Sequence, residues 1–160
     1  MGPSEDPRRS ARSRNMRAIA RRDTKPELIV RRHLHARGFR FRVDAAALPG
    51  RPDLVLRRWK AAIWIHGCFW HRHPSCRYAA FPKTNGPFWQ EKFRQNVERD
   101  GRAEAAVSAL GWRVAIVWEC ALRGPSRSAT LIGLEDWIRS SGQSAYSSDL
   151  DAPPVEAPKS

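Results

Sequence analysis

The chain has 160 residues, a formal net charge of +13 and 41% hydrophobic residues, so it is long enough for one domain with a modest core. It holds no apolar run that could span a bilayer, and no apolar segment near Met1 has the form of a signal peptide. A membrane partner is therefore disfavoured. We expect a cytoplasmic protein that binds a polyanion, and nucleic acid fits the charge best.

Positive charge is concentrated near the start of the chain. Residues 8–22 contain seven arginines and no carboxylate, as expected for a segment that binds phosphates. An arginine-rich composition inherited from a GC-rich genome is the alternative, and the clustering favours binding. Residues 1–13 predict a flexible basic arm, residues 14–140 one folded domain, and residues 141–160, rich in Ser, Pro and Asp, a disordered tail.

The first predicted elements are helices. Residues 13–22 predict a short helix. Residues 24–27, with the sequence TKPE, form a capping box with proline in the first turn. They predict a second helix that runs to Arg37 and ends at Gly38, because glycine commonly follows the last turn of a helix.

Three strands are predicted next. Alternating apolar and basic residues over 39–43 predict a half-buried strand. A turn at 48–52, rich in proline and glycine, leads to a second strand over 53–56. Residues 61–65 are apolar on both faces, so they predict a third strand at the centre of a sheet.

The rest of the domain adds two helices and one strand. A long helix is predicted over 88–110, ended by Gly111, and an apolar strand over 112–118. A helix over 130–139 closes the domain. Helices that alternate with strands in this order predict an α/β fold, in which helices flank a mixed sheet.

The loop after the third strand has metal-binding residues. Cys68, His73 and Cys76 lie close together in it, and Cys120 ends a predicted strand far downstream. Thiolates and imidazoles are the ligands of Zn²⁺, so these four residues predict a closed structural zinc site. Three cysteines cannot pair evenly as disulfides. The alternative is that they are small buried apolar residues, although Cys68 and Cys76 lie in a polar stretch.

Polar groups with catalytic chemistry flank the predicted strands. Asp53 opens the second strand, and the third ends at Ile65 and His66. If both strand ends meet at one edge, a carboxylate, a carbonyl oxygen and a ring nitrogen come together. Carboxylate and carbonyl oxygens suit Mg²⁺, which also binds substrate phosphate. The alternative is that Asp53 only caps a turn.

Two further acids have structural and functional interpretations. Glu27 is the third position of the capping box, which explains it without any chemistry. Asp100 lies on the same predicted helix face as Phe93 and Asn96, where a carboxylate needs a partner. A histidine such as His66 would be one. The alternative is an acid at the solvated edge of the stripe.

The same loop carries the adjacent aromatic residues Phe69 and Trp70. Large apolar side chains on a loop can wedge between stacked bases and kink DNA. Burial in the core is the commoner fate of such residues and is the alternative. Their position between Cys68 and His71 favours the wedge.

The chain resembles the very-short-patch mismatch repair (Vsr) endonucleases in several sequence strings. The matching strings are RNMRAI at 14–19, LPGRPD at 48–53, HGCFWH at 66–71, NVERD at 96–100, and GWRV and VWEC within 111–120. Together they cover roughly residues 10 to 140 in order. The resemblance implies a restriction-endonuclease-like fold over residues 14–140, which is then the nuclease domain. It also implies a Mg²⁺-dependent enzyme that nicks double-stranded DNA beside the thymine of a T:G mismatch left by deaminated 5-methylcytosine.

The resemblance also implies roles for individual residues. Asp53 and the Ile65 carbonyl would bind Mg²⁺, and His71 would activate water. The supporting groups would be His66 with Asp100, and Glu27. Phe69, Trp70 and His71 would enter from the major groove, with Met16 as their counterpart from the other groove. The zinc ligands would be Cys68, His73, Cys76 and Cys120.

Two other functions remain open from sequence. A non-catalytic DNA-binding module ordered by zinc explains the charge, the cysteines and the aromatic residues, but not the acids and histidines. A mismatch glycosylase would flip and excise a base without Mg²⁺. For the mismatch endonuclease we expect a monomer, with other repair proteins as possible partners.

Overall fold

Our computed structural model describes residues 23–43, 45–140 and 142–148. The short helix expected over 13–22, the arm over 1–13 and Met16 lie outside the described residues. Three helices and five strands are assigned within them. These are α1 (Lys25–Ala36), β1 (Arg42–Val43), β2 (Leu54–Leu56), β3 (Ala61–His66), α2 (Gly86–Ala109), β4 (Arg113–Trp118), α3 (Ser126–Arg139) and β5 (Ala145–Ser147).

The strands form one mixed sheet in the order β1-β2-β3-β4-β5. The first two pairings are antiparallel, and the pairings of β3 with β4 and of β4 with β5 are parallel. All six residues of β3 are buried, as predicted for a central strand. The predicted α/β class, with helices flanking a mixed sheet, is confirmed.

Helices cover both faces of the sheet. The odd-numbered residues of β3 pack with α1 and α3 in the larger core cluster, whereas Ala62 and Trp64 face α2. Side chains alternate across a strand, so this assignment places Asp53 and His66 on the α2 side as well. The chemistry predicted at the strand ends therefore faces α2.

The start and end of α1 follow the sequence signals. The Thr24 hydroxyl accepts a hydrogen bond from the Glu27 backbone N–H at 3.5 Å, and Pro26 occupies the first turn. At the other end, Gly38 adopts φ +85°, and the N–H of Phe39 donates to the Leu34 carbonyl. This bond is typical of the Schellman motif that ends a helix with glycine.

The strand predicted over 39–43 is wrong for most of its length. Only Arg42 and Val43 pair with β2, and both are exposed rather than half-buried. The Schellman turn directs Phe39 back against the helices, where its ring lies 5.9 Å from that of Trp59. Phe39 is therefore buried in the core between helices instead of on the sheet.

The disordered tail predicted over 141–160 is wrong for residues 145–147, which form β5. The strand pairs with β4, and the adjoining Ser148 accepts a hydrogen bond from the Trp118 N–H at 2.8 Å. Tyr146 packs on Trp137 of α3 at 5.9 Å between ring centroids. One aromatic residue in a polar segment thus secures the edge strand. Residues 149–160 lie outside the described residues.

The turn before Asp53 is pressed against α2. Gly50 has φ +69°, and a Cβ atom added to it would lie 2.3 Å from the Cβ of Ala103. Its carbonyl accepts a hydrogen bond from the Trp64 ring N–H at 3.4 Å. Glycine is required here for both its backbone conformation and its size.

We predict opposite effects for two Gly→Ala substitutions. Gly50→Ala combines left-handed strain with a steric clash and should lower the free energy of unfolding by about 1–3 kcal/mol. Gly101→Ala lies in the middle of α2, where an added Cβ meets open space, and should raise it by roughly 1 kcal/mol. Urea denaturation measures both. Equal effects at the two positions would contradict the tight approach of the turn to α2.

Candidate active site and metal centre

The four predicted zinc ligands come together in the structure. The ligand atoms of Cys68, His73, Cys76 and Cys120 all lie within 4.8 Å of one another. Bonds of 2.0–2.3 Å to a tetrahedral ion place ligand atoms roughly 3.5 Å apart, so small side-chain movements would close the site. Within the cluster, the Cys120 sulfur lies 3.4 Å from the Nδ1 atom of His73. The cluster can hold a metal ion.

Two left-handed residues bend the loop that carries these ligands. Arg72 has φ +53° and Ser75 has φ +56°. The His73 N–H donates to the Cys68 carbonyl at 3.1 Å, which closes the first bend. The second bend lies at Ser75, in the stretch between His73 and Cys76. Cys76 reaches the cluster.

The thiols of the cluster respond to burial. Burial raises the pKa of Cys68 and of Cys120 above the ordinary value for cysteine. Without a cation both thiols are therefore neutral near pH 7. A bound metal ion reverses this preference, because a coordinating thiol is deprotonated outright.

Asp53 is fixed to the end of β3 by its carboxylate. Its Oδ2 atom accepts a hydrogen bond from the Ile65 N–H at 2.7 Å, across two neighbouring strands. Burial, helped by the nearby Glu27 carboxylate and opposed by the hydrogen bond from Ile65, raises the pKa of Asp53 to about 6. A half-buried carboxylate that is disfavoured as an anion gains most from a cation beside it.

Glu27 has a structural role and also lies near Asp53. Its Oε2 atom accepts hydrogen bonds from the Asp23 N–H at 3.1 Å and from the Arg31 guanidinium at 3.0 Å. The predicted capping box is therefore modified, since the side chain bonds the residue before Thr24. Carboxylate oxygens of Asp53 and Glu27, with the backbone of Ile65, are the hard donors that suit Mg²⁺.

Asp100 pairs with His71, and the expectation that it would pair with His66 is wrong. The Nδ1 atom of His71 lies 2.6 Å from the Asp100 carboxylate. The ring of His66 stacks on that of His71 instead, with centroids 3.9 Å apart and planes 5° from parallel. Helix periodicity placed Asp100 on the correct face but could not show which histidine the loop would bring to it.

Burial determines the charge of His66, one of the two stacked histidines. Burial lowers the pKa of His66 to about 3, with a further contribution from His71, so His66 is neutral at physiological pH. A neutral ring can stack on a partner that gains a proton. The two rings and Asp100 also lie close enough to be considered as metal ligands. Parallel rings, however, direct their lone pairs in parallel planes rather than at one ion, which favours proton transfer.

Sequence reasoning missed Trp118 at the end of β4. Its indole stacks on His73 with centroids 4.3 Å apart and meets the edge of His66 at 5.3 Å. The predicted zinc site and the predicted catalytic site therefore share one side chain. Trp118 lies beside His66 because of the register of two parallel strands, which the sequence alone does not show.

Phe69 and Trp70 belong to an aromatic cluster on the first turns of α2. They are half-buried, with Phe69 5.2 Å from Phe93 and Trp70 5.9 Å from Trp89, between ring centroids. The cluster consists of Phe69, Trp70, Phe81, Phe88, Trp89 and Phe93. The two interpretations from sequence were full burial and free exposure, and the observed state lies between them.

Glu104 is a further acid near the histidines. It lies one helical turn beyond Asp100 and is partly buried. Burial raises the pKa of Glu104, and Asp100 adds to the rise. Its spacing of four residues from Asp100 was a signal available in the sequence.

Among the residues that the structure describes, no helix has the length and apolar character needed to cross a membrane.

Comparisons with known proteins identify the family to which the chain belongs. Residues 6–78 match the family model for the DNA mismatch endonuclease Vsr. Over 140 residues the chain is 49% identical to the DNA mismatch endonuclease Vsr of Escherichia coli. The matched region covers 86% of this chain and 89% of the relative. The chain is 44% identical over 114 residues to the type II nicking enzyme V.NmeAIP of Neisseria meningitidis. That match covers 71% of this chain and 81% of the relative.

A third relative is also a nicking enzyme. The type II nicking enzyme V.NaeI of Lentzea aerocolonigenes is 42% identical over 118 residues, which cover 71% of this chain and 70% of the relative. The strings that first suggested the resemblance thus belong to a similarity that extends over most of the chain. The chain belongs to the Vsr family of DNA mismatch endonucleases.

Proposed function

We propose that this protein is a Mg²⁺-dependent endonuclease that nicks double-stranded DNA at T:G mismatches left by deaminated 5-methylcytosine. The observation that carries the proposal is the 2.6 Å contact between His71 and Asp100. Its relatives are named as a mismatch endonuclease and as nicking enzymes, which supports the reaction class. The net charge of +13 supports a DNA substrate.

His71 is the group proposed to activate water. The Asp100 carboxylate accepts a hydrogen bond from the Nδ1–H of His71, so the neutral ring has the lone pair of Nε2 available for a proton from water. The Asp100 carboxylate then stabilises the imidazolium that forms. Because His66 stays neutral beneath it, the new charge meets no repulsion from its stacked neighbour.

Asp53 and the Ile65 carbonyl are proposed to hold Mg²⁺, with Glu27 as a supporting acid. When bound, the ion would stabilise negative charge that develops on the phosphate. Asp53 is oriented for this role by the hydrogen bond from the Ile65 N–H, which occupies one carboxylate oxygen. The other oxygen remains for a cation.

Cys68, His73, Cys76 and Cys120 are proposed to hold Zn²⁺ as a structural ion. The site would join the loop after β3 to the end of β4, because three ligands come from the loop and one from residue 120. A closed site of this composition stabilises a fold rather than performing chemistry.

Phe69 and Trp70 are proposed to unstack the bases at the mismatch, with Met16 entering from the other groove. Unstacking costs a few kcal/mol and costs least where pairing is already poor, so the step favours a mismatch over a paired site. We further propose a cytoplasmic monomer that acts with other repair proteins. A T:G duplex incubated with Mg²⁺ separates the candidate functions, since it gives a ligatable nick, an abasic site or intact DNA.

Replacing Asp53 with alanine should abolish nicking and leave binding of the mismatched duplex nearly unchanged. The reason is that Asp53 holds the ion and not the DNA, so the rate should fall roughly 100-fold or more. Nicking and gel-shift assays measure the two properties. Asp136→Ala, an exposed acid on α3, is the control and should behave as wild type. Near wild-type nicking by Asp53→Ala would reject the assignment.

Cys120→Ser should remove one zinc ion per chain and lower the melting temperature. The physical reason is that the serine hydroxyl is a poor zinc ligand, so the loop would separate from β4. Elemental analysis and thermal melting of the purified protein measure both effects. Ser128→Ala on the exposed side of α3 should keep its zinc. Purified wild-type protein without zinc would contradict the proposed ion.

Trp70→Ala should reduce discrimination between T:G and paired T:A duplexes far more than it reduces stability. The residue is half-buried, and its loss should remove the wedge while leaving the main core intact. Trp112→Ala is the matched control, because Trp112 is also half-buried but packs in the α2-facing cluster. It should lower the melting temperature and preserve discrimination. The reverse pattern would show that Trp70 is only a packing residue.

A further inference from the structure

Arg72 places a charged side chain inside the aromatic cluster. Its guanidinium carbon lies 4.1 Å from the ring centroid of Phe93 and 5.8 Å from those of Phe69 and Phe81. The residue lies between His71 and His73 and adopts the left-handed conformation already described. A cation over several aromatic faces is attracted by each of them, and more strongly where water is excluded.

The same guanidinium is hydrogen-bonded to two separate segments. It donates to the carbonyl of Phe69 at 3.3 Å and to the carbonyl of Ala79 at 2.5 Å. Two of the five N–H donors of the guanidinium are thus used by main-chain carbonyls. Arg72 is therefore unlike the exposed arginines, and its contacts hold the segment around Phe69 against α2.

A second contact holds the next residue of this segment. The Nδ2 atom of Asn96 donates to the Trp70 carbonyl at 3.2 Å, and Asn96 is itself buried on α2. The carbonyls of both Phe69 and Trp70 are thus bound by side chains. Two adjacent peptide units held in this way leave the aromatic rings little freedom to rotate with the backbone.

We propose that Arg72 is a positioning residue for mismatch discrimination, which fixes Phe69 and Trp70 in the orientation that enters DNA. This inference rests on the proposed function, because it assumes that these two rings meet the bases. Arginine is required, since its planar group can stack on Phe93 while its donors reach two carbonyls. Lysine keeps the charge but offers neither the plane nor the fork.

The test compares Arg72→Lys with Arg94→Lys in the full-length, zinc-loaded protein. Arg94 pairs with Glu91 and Glu98 on the exposed side of α2, so it is a matched control outside the aromatic cluster. The first measurement is the ratio of nicking rates on T:G and paired T:A duplexes. The second is the fluorescence of 2-aminopurine placed beside the mismatch, which rises when the neighbouring bases unstack. Zinc content and melting temperature show whether each variant is folded.

Arg72→Lys should lower the nicking ratio about tenfold, a factor within the range of a desolvated cation–π contact, and should reduce the fluorescence rise. Arg94→Lys should change neither. Phe81→Leu removes one ring from above Arg72 at an exposed position and should lower the ratio in the same direction. This second variant decides the question if Arg72→Lys does not fold.

The outcomes separate this inference from the proposed function. If wild-type protein fails to nick the T:G duplex, the proposed function is rejected, and the role of Arg72 is rejected with it. If wild-type protein nicks and unstacks the duplex but folded Arg72→Lys and Phe81→Leu keep its ratio and fluorescence, only the role of Arg72 is rejected. A lower melting temperature with an unchanged ratio would show that Arg72 serves stability alone.

Discussion

The parallel pairing of β3 with β4 is the constraint on which the candidate site depends. Ala61 pairs with Arg113 and His66 with Trp118, so both strands end at the same edge of the sheet. Parallel strands need a long connection between them, and here it comprises the ligand loop and α2. The register therefore brings a loop beginning at Gly67 to the same place as the turn that carries Cys120.

Helix α2 packs against the loop at this edge of the sheet and supplies side chains to the candidate site. Phe93, Asn96 and Asp100 lie three or four residues apart, which puts them along one face of the helix. Along that face, Phe93 packs in the aromatic cluster, Asn96 binds the Trp70 carbonyl and Asp100 binds His71. A rotation of the helix would disturb all three contacts together, and the close approach of Gly50 to Ala103 opposes such a rotation.

Features set by local sequence signals were predicted better than contacts between segments that are distant in the chain. The capping residues of α1 and the apolar run of β3 defined their elements, because each signal acts within a few residues. The members of the candidate metal cluster were predictable because the chain has only three cysteines, and all three lie in the cluster. The pairing of His71 with Asp100 was missed, since it depends on how a loop bends at Arg72. Strand β5 was missed because Tyr146 alone distinguishes it from a polar tail.

The position of Trp118 between His66 and His73 affects how mutants of this protein would be classified in a genetic screen. If the cysteines bind zinc as proposed, a missense change at one of them would loosen the packing of His73 on the Trp118 indole. The indole in turn contacts His66, whose ring stacks on that of His71. Under the proposed function, the resulting phenotype would match that of a change at Asp100, although the cysteines are not among the groups proposed to transfer protons. Changes at the cysteines and changes at Asp100 should therefore give the same phenotype in such a screen, although they act on different sites. The two sites are linked because the Trp118 indole contacts both His73 and His66.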